Sequence, residues 1–292
     1  MSRPNFERLA PPPRPVSLGL RVFTLFGEPL GQIGWFLLGF SSIFVWTFVM
    51  NAEILPPFLL RGPVSTAVAQ VTYVEATSAR ENRSRVWAVD YTFRPGDGTR
   101  RAGRSYVTGS APAIGDSVTV EFAETAPQLS RIKGMRSALF GPAVVIVLIF
   151  PAVALLLLVF SLRGRLVLGR LLRDGRLAQG KLKERAPTNM RVNNRRVYRL
   201  AFDFVGEDGR RHEAQESTSQ TAALEDEPSE SLLYLPESPS TAALVDGLPD
   251  SIQADTEGNL YLATPSSARL ALLLPLVVTL GNAACAFVRW TR

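Results

Sequence analysis

Cysteine and histidine are nearly absent: the 292 residues hold one of each, Cys285 and His212. A lone cysteine cannot form an intramolecular disulfide, and it excludes zinc frameworks built on paired cysteines. A lone histidine leaves a serine–histidine–acid triad one possible base, and no G-x-S-x-G elbow supplies the nucleophile. A Walker loop and a dinucleotide fingerprint are missing too. Gly164, Gly169 and Gly175 lack the lysine–serine ending of a phosphate-binding loop. The acidic residues Glu225, Asp226, Glu227 and Glu230 match no EF-hand spacing and read as a solvated loop. His212 follows Arg210 and Arg211 and reads as a solvated surface residue. Cys285 lies in an apolar run and reads as a small hydrophobe. No catalytic, cofactor-binding or metal-binding residue is assigned, and no cofactor is expected.

Charge is missing from three stretches, residues 33–50, 140–162 and 270–288. The overall hydrophobic share of 46% is ordinary, so it is the clustering that decides the class. Soluble proteins spread apolar residues at helix or strand period, whereas unbroken runs of about twenty are membrane spans. Trp35 and Trp46 stand near the ends of the first run, where tryptophans favour the membrane–water interface. The third run is bracketed by Arg269 and Arg289. At 1.5 Å per residue its length comes to about 28 Å, close to the hydrocarbon thickness. Pro142, Pro151 and Pro275 are tolerable there, because neighbouring groups satisfy the freed carbonyls. The first run starts late, is long for a signal-peptide core and is followed by no clear A-x-A site, so it reads as a retained anchor. Proton relays and ion pathways put ionisable residues inside spans, and these runs have none. Gly34, Gly39, Ser41 and Ser42 read equally as a close helix-packing face and as ordinary span composition.

The polar blocks between the runs, residues 62–137 and 175–264, repeat one another. Residues 86–93, Val-Trp-Ala-Val-Asp-Tyr-Thr-Phe, lie over 197–204, Val-Tyr-Arg-Leu-Ala-Phe-Asp-Phe, at an offset of 111. At the same offset Asp97-Gly98 meets Asp208-Gly209, and Arg100 meets Arg211. After one inserted residue 118–122 meets 230–234 and Pro127 meets Pro239; after a second, Gly134 meets Gly247. Alternating polarity marks strands, and Asp-Gly marks hairpin turns. First strands are expected at 64–73 and 179–185, a return strand at 99–107, and about five short antiparallel strands per block. The expected fold is membrane α plus β: three transmembrane helices with two small, barrel-like antiparallel modules inserted between them. Residues 1–32, with Pro11, Pro12, Pro13 and Pro15, read as a flexible arm turning amphipathic near Leu18–Phe26.

The first block carries Trp87, Tyr91, Phe93 and Asp97-Gly98, then Gly115-Asp116-Ser117-Val118-Thr119-Val120, Pro127 and Ser130-Arg131-Ile132-Lys133-Gly134. This pattern resembles the DUF3592 family of bacterial membrane proteins, in two copies. The second copy keeps the hairpin and Pro239 but has Asp226-Glu227 in place of Gly-Asp. The resemblance implies architecture and carries no activity.

The formal charge is +6. No groove-reading motif accompanies it, so nucleic acid is not an expected partner. Arginines beside spans fix orientation. Arg3, Arg8, Arg14 and Arg21 precede the first run. Arg163, Arg165, Arg170, Arg173, Arg176, Lys181, Lys183 and Arg185 follow the second, while only Arg61 precedes Arg80 after the first. Arg131, Lys133 and Arg136 weigh the other way but are fewer. The expectation is a multi-pass protein of the bacterial inner membrane, with its amino terminus and second module cytoplasmic and its first module extracytoplasmic. The basic stretch 163–185 reads as an interfacial helix on anionic lipid, with Leu166, Val167, Leu168, Leu171 and Leu172 apolar, or as a dock for an acidic protein. The functional expectation is a non-enzymatic protein that presents β modules for protein–protein interaction or assembly. Its partners would be membrane lipid and another membrane protein or a second copy. The alternatives are an auxiliary subunit of a transport or secretion complex and, on weaker grounds, a membrane-bound hydrolase.

Overall fold

A computed structural model describes residues 6, 9–54, 56, 62–192, 194–218 and 228–291. Arg3, Arg8, Arg61, Glu225, Asp226 and Glu227 lie outside the described residues. Among the described residues the chain forms four α-helices and twelve β-strands. It divides into two compact units, residues 39–152 and residues 1–38 with 153–292.

Three helices are long and apolar enough to cross a membrane. α2 (Pro29–Thr47) continues through a 3-10 turn to Asn51, α3 is Ile149–Asp174, and α4 is Pro265–Trp290. A 3-10 segment, Pro142–Leu148, leads into α3. The two prolines explain the change of helix type. Pro142 opens the segment, and Pro151 has no N–H to give the carbonyl four residues back, which removes an α hydrogen bond at the junction with α3. The helix also runs twelve residues past the expected end at 162, to Asp174.

Five strands follow α2: β1 (Val64–Glu81), β2 (Ser84–Phe93), β3 (Arg101–Thr108), β4 (Ser117–Ala123) and β5 (Ala126–Ile132). Their antiparallel order is β3-β2-β1-β4-β5. An antiparallel bridge between Tyr106 and Arg136 brings the two edges together, so the sheet is nearly closed. Val89, Tyr91, Phe93, Val120, Phe122 and Ile132 fill it. Inside, Tyr91 is fully buried and shares a 2.9 Å hydrogen bond with Ser130. Gly103 faces that ring; a Cβ there would collide with the phenol.

After α3 come β6 (Arg176–Val192), β7 (Arg195–Val205), β8 (Arg211–Thr218), β9 (Glu230–Leu235) and β10 (Ser238–Leu244), in the order β10-β9-β6-β7-β8. Read from the other edge, this is the order of the first sheet. The agreement extends to irregularities. β1 slips against β2 between Val71 and Tyr73 and again between Ala76 and Arg80. β6 slips against β7 between Leu182 and Glu184 and between Pro187 and Arg191, each 111 residues later. Thr77 Oγ1 donates to Val86 O at 2.7 Å, and Thr188 Oγ1 to Val197 O at 2.8 Å. Bulges are local departures set by particular residues. Two shared at one offset show that both blocks are the same module.

The core positions repeat as well. Leu200, Phe202, Phe204, Leu232, Tyr234 and Leu244 form the second core. Phe93 and Phe204 are both buried, whereas Trp87 and Tyr198 are only half-buried. Tyr198 still packs against the second core, whereas Trp87 stands outside the first. Trp87 pairs with Ala76, the last residue before the β1–β2 slip, where the hairpin leaves the barrel. Ser105 Oγ, fully buried, accepts from Ile132 N at 2.8 Å. Its counterpart is Glu216, whose carboxylate accepts from Leu244 N. Burial raises the Glu216 pKa, and that hydrogen bond opposes the shift.

A short hairpin, β11 (Ile252–Ala254) and β12 (Leu260–Leu262), follows β10. The stretch before α2 differs from the flexible arm expected at 1–32. Residues 9–17 lie along the hairpin: Ala10 N donates to Gly258 O at 3.0 Å, and Val16 bridges Leu260. α1 (Leu18–Phe26) then forms, with the Ser17 hydroxyl accepting from Leu20 N at its start. Phe6, Leu20, Leu171, Leu172, Leu233, Leu248, Ile252 and Leu260 share one buried cluster.

Candidate functional site

The single histidine is less exposed than its sequence context suggests. His212 lies on β8 with a side chain 21% exposed, its Nε2 3.0 and 3.1 Å from the two carboxylate oxygens of Asp208. Its ring is 5.7 Å from that of Phe204. Asp208 also accepts from Arg210 N at 3.0 Å, and this bond, with the one to His212, holds its pKa below the usual carboxylate range. Asp97 makes the same turn bond, accepting from Thr99 N at 2.9 Å, with no histidine nearby in sequence. The histidine thus clasps a hairpin turn. Cys285 is exposed on α4. Glu230, expected in a solvated loop, is 3% exposed, because it opens β9 and pairs with Gly180 of β6. Gly180 is small for a reason: a Cβ would meet Leu232 at 2.8 Å. Among the described residues no three His, Cys, Asp or Glu side chains come together as a metal site.

The basic stretch 163–185 does not form a separate interfacial helix. Its first half continues α3, and its second half is β6. Leu171 and Leu172 are buried in the shared cluster, while Leu166 and Val167 stay exposed. The end of α3 is closed by Arg14, 3% exposed. Its guanidinium donates to Ala10 O at 2.9 Å, Leu172 O at 3.1 Å and Gly175 O at 2.6 Å. The last carbonyls of a helix lack intrahelical donors, and a cation there also meets the negative end of the dipole. Burial and the nearby Arg176 pull the Arg14 pKa down, and Asp174 opposes them. Nothing in the Pro-rich context of Arg14 signals this role.

Beside this cap lies a cleft of about 250 Å³ between α1 and α3. Val16, Leu25, Leu166, Gly169 and Leu172 give it an apolar lining; Arg21, Arg165, Arg170 and Arg173 surround it. α2 packs close to α3 in the same unit. A Cβ on Gly34 would come 3.0 Å from Leu158, and one on Gly31 would come 2.7 Å from Ser161 Oγ. Of the two readings of Gly34, close packing is the one the geometry favours. Glu28, at the start of this contact, accepts from the Ser161 hydroxyl and lies 3.4 Å from Arg165 Nε.

The long hairpins β1–β2 and β6–β7 diverge in charge. In the first, Glu81 near the tip accepts from Arg136 Nη1 at 2.7 Å and from Thr108 at 2.9 Å. Burial works to raise the Glu81 pKa, but these bonds win and hold it low. Arg136 also donates to Leu139 O at 3.2 Å. Arg131 Nη1 reaches Glu53 Oε1 at 3.2 Å and its Nη2 reaches Glu121 at the same distance. Glu53 Oε2 also accepts from Ser137 N at 3.0 Å. Module 1 is thereby bonded to the segments that flank α2 and α3.

The second hairpin has lost this tie. Val192 stands where Glu81 stands in the first copy. Between 185 and 199 there are five arginines, Arg185, Arg191, Arg195, Arg196 and Arg199, and no acidic residue. All five are exposed, and Arg191 pairs directly with Arg196 across the ladder. Like charges directly opposite destabilise a hairpin. Arg185 lies 4.3 Å over the ring of Tyr198. In comparisons with known proteins, no family model and no curated protein matches this chain.

Proposed function

We propose that the chain is an integral protein of the bacterial inner membrane, crossing it three times and presenting one β module on each side. On this reading it belongs with the DUF3592-like membrane proteins, is not an enzyme, and acts by binding other proteins. The lengths and apolar surfaces of α2, α3 and α4 support the spans. The arginine excess before α2 and after α3 supports a cytoplasmic amino terminus and second module. The packing of Phe6 and Leu20 with Leu233 in one cluster supports a common side for the amino-terminal segment and module 2.

One observation carries the binding role: both hairpins hold facing arginines, Arg80 with Arg85 and Arg191 with Arg196, but the first also carries Glu75 and Glu81, the latter ion-paired with Arg136, whereas the exposed stretch 185–199 has five arginines and no acidic residue. Unbalanced like charge costs a scaffold stability and suits a docking surface for an acidic protein. The test is affinity purification of the full chain in mild detergent, with Arg191, Arg195, Arg196 and Arg199 replaced together by Gln in parallel. The expected result is a stable partner that crosslinks to module 2 and is lost from the variant. Retention of every partner by the variant, or co-purification of nucleic acid instead, would contradict the assignment.

A further inference from the structure

We infer that the cleft between α1 and α3 is a binding site for one anionic phospholipid, its phosphate held by the arginine rim and its glycerol and upper acyl carbons on the apolar floor. The inference rests on the membrane reading above and adds a defined ligand site to it.

Depth is the first argument. The uncharged run ends at Leu162, and Arg165 and Leu166, at the near end of the cleft, are three and four residues further along the same helix. At 1.5 Å per residue this is about 5–6 Å beyond the hydrocarbon edge, inside the headgroup layer. α1 reaches the same level, because only Gly27 and Glu28 separate it from α2. Its exposed Leu18 and half-buried Val22, Phe23, Leu25 and Phe26 suit a helix lying in the interface.

Charge is the second argument. Four arginines line the cleft against one carboxylate, Asp174. Arg173 pairs with Asp174 at 3.1 Å, Arg170 with Glu237 at 2.6 Å and Arg165 with Glu28 at 3.4 Å. Even with all three pairs counted the rim keeps one positive charge, that of Arg21. Among the described residues Arg21 has no carboxylate partner; its Nε donates to Val16 O at 3.1 Å. A guanidinium has five donors in a planar fork, so each paired arginine still has N–H groups for a phosphate.

Shape is the third argument. Exposed apolar floors are ordinary on a membrane-spanning surface, but this one is concave and ringed by cations. Gly169 has nothing within 4 Å of its Cβ position. A larger side chain there would occupy the cleft without striking protein, and replacing an in-helix glycine also favours the helix.

The test uses the full chain, first shown by flotation to be inserted in vesicles, then extracted in mild detergent and examined by native mass spectrometry. Vesicles contain phosphatidylglycerol and phosphatidylcholine in equal amounts. The wild type should retain one phosphatidylglycerol in preference to phosphatidylcholine. Gly169→Leu should lower that retention about tenfold or more while preserving thermal stability. Arg21→Gln combined with Arg173→Gln should remove the preference for the anionic lipid, at about tenfold for each charge-assisted hydrogen bond lost. Inorganic phosphate at millimolar concentration should not displace the lipid, since it cannot use the apolar floor. Equal retention of the two lipids, unchanged binding by Gly169→Leu, or displacement by phosphate alone would overturn the inference. A chain that fails to float with vesicles would instead overturn the membrane reading.

Discussion

Phe93→Ala measures how much of module 1 depends on its aromatic core. The ring is 3% exposed and lies 5.3 Å from that of Phe122 and 6.1 Å from that of Tyr91. Truncating a buried phenylalanine costs about 3–5 kcal/mol, from lost transfer energy and the cavity left behind. A module of roughly 70 residues has a total stability of about 4–10 kcal/mol. The substitution should therefore remove a third or more of that stability and in some conditions unfold the module. Trp87→Ala is the internal control. Its ring is only half-buried, and the loss should be about 1–2 kcal/mol. Hydrogen exchange with mass spectrometry, on full-length protein in mild detergent, reads both variants. Amides of β2 and β4 should lose roughly two to three and a half decades of protection in Phe93→Ala and about one in Trp87→Ala. The separate core around Phe202 and Phe204 should keep its protection. A larger loss for Trp87→Ala than for Phe93→Ala would refute the assignment of these two positions.

Gly103→Ala forces a methyl into the buried phenol of Tyr91 and should cost about 1–3 kcal/mol, whereas Gly96→Ala, which meets open space, should be nearly neutral; thermal melts followed by module 1 proteolysis separate them. Arg14→Gln leaves the carbonyls of Leu172 and Gly175 short of donors at about 1–3 kcal/mol each, so residues 9–17 should become protease-sensitive while the β6–β7 hairpin does not change. Glu216 has a folded pKa raised by burial, so its protonated form favours folding; the stability it confers is full below its unfolded pKa, about 4.3, and is lost as pH rises through the folded value. Glu216→Gln should therefore stabilise module 2 at neutral pH and flatten that part of its pH dependence, as measured by exchange of β8 and β10 amides.

The features legible in the sequence were those with a local signature. Uncharged runs marked the three long helices, and Asp97-Gly98 and Asp208-Gly209 marked turns in which both glycines take positive φ. The repeat was legible because aromatic and turn residues recur in order at one offset. The features that escaped depend on contacts distant in the chain. Arg14 is buried by carbonyls about 160 residues away, and a proline-rich context announces only that the segment has no helix of its own. α3 runs on to Asp174 because Leu171 and Leu172 find a core formed largely by module 2, although the arginines between suggest an end. Trp87 keeps the inward parity of Tyr91 and Phe93, yet parity does not tell where a hairpin leaves its barrel. The arginine-rimmed cleft was visible only as a basic stretch, since Arg21, Thr24 and Leu25 of its wall come from α1.

In the proposed topology three helices thread one membrane and place the two copies of a single module on opposite faces. Ser84 and Arg195 test it directly, since they are equivalent, exposed positions on β2 and β7. In a Cys285→Ala background, Ser84→Cys and Arg195→Cys are treated with a membrane-impermeant thiol reagent in spheroplasts and again after lysis. With the modules on opposite faces, Ser84→Cys should be labelled before lysis and Arg195→Cys only after it. Labelling of both positions under the same condition would place the modules on one side and contradict the three-span architecture.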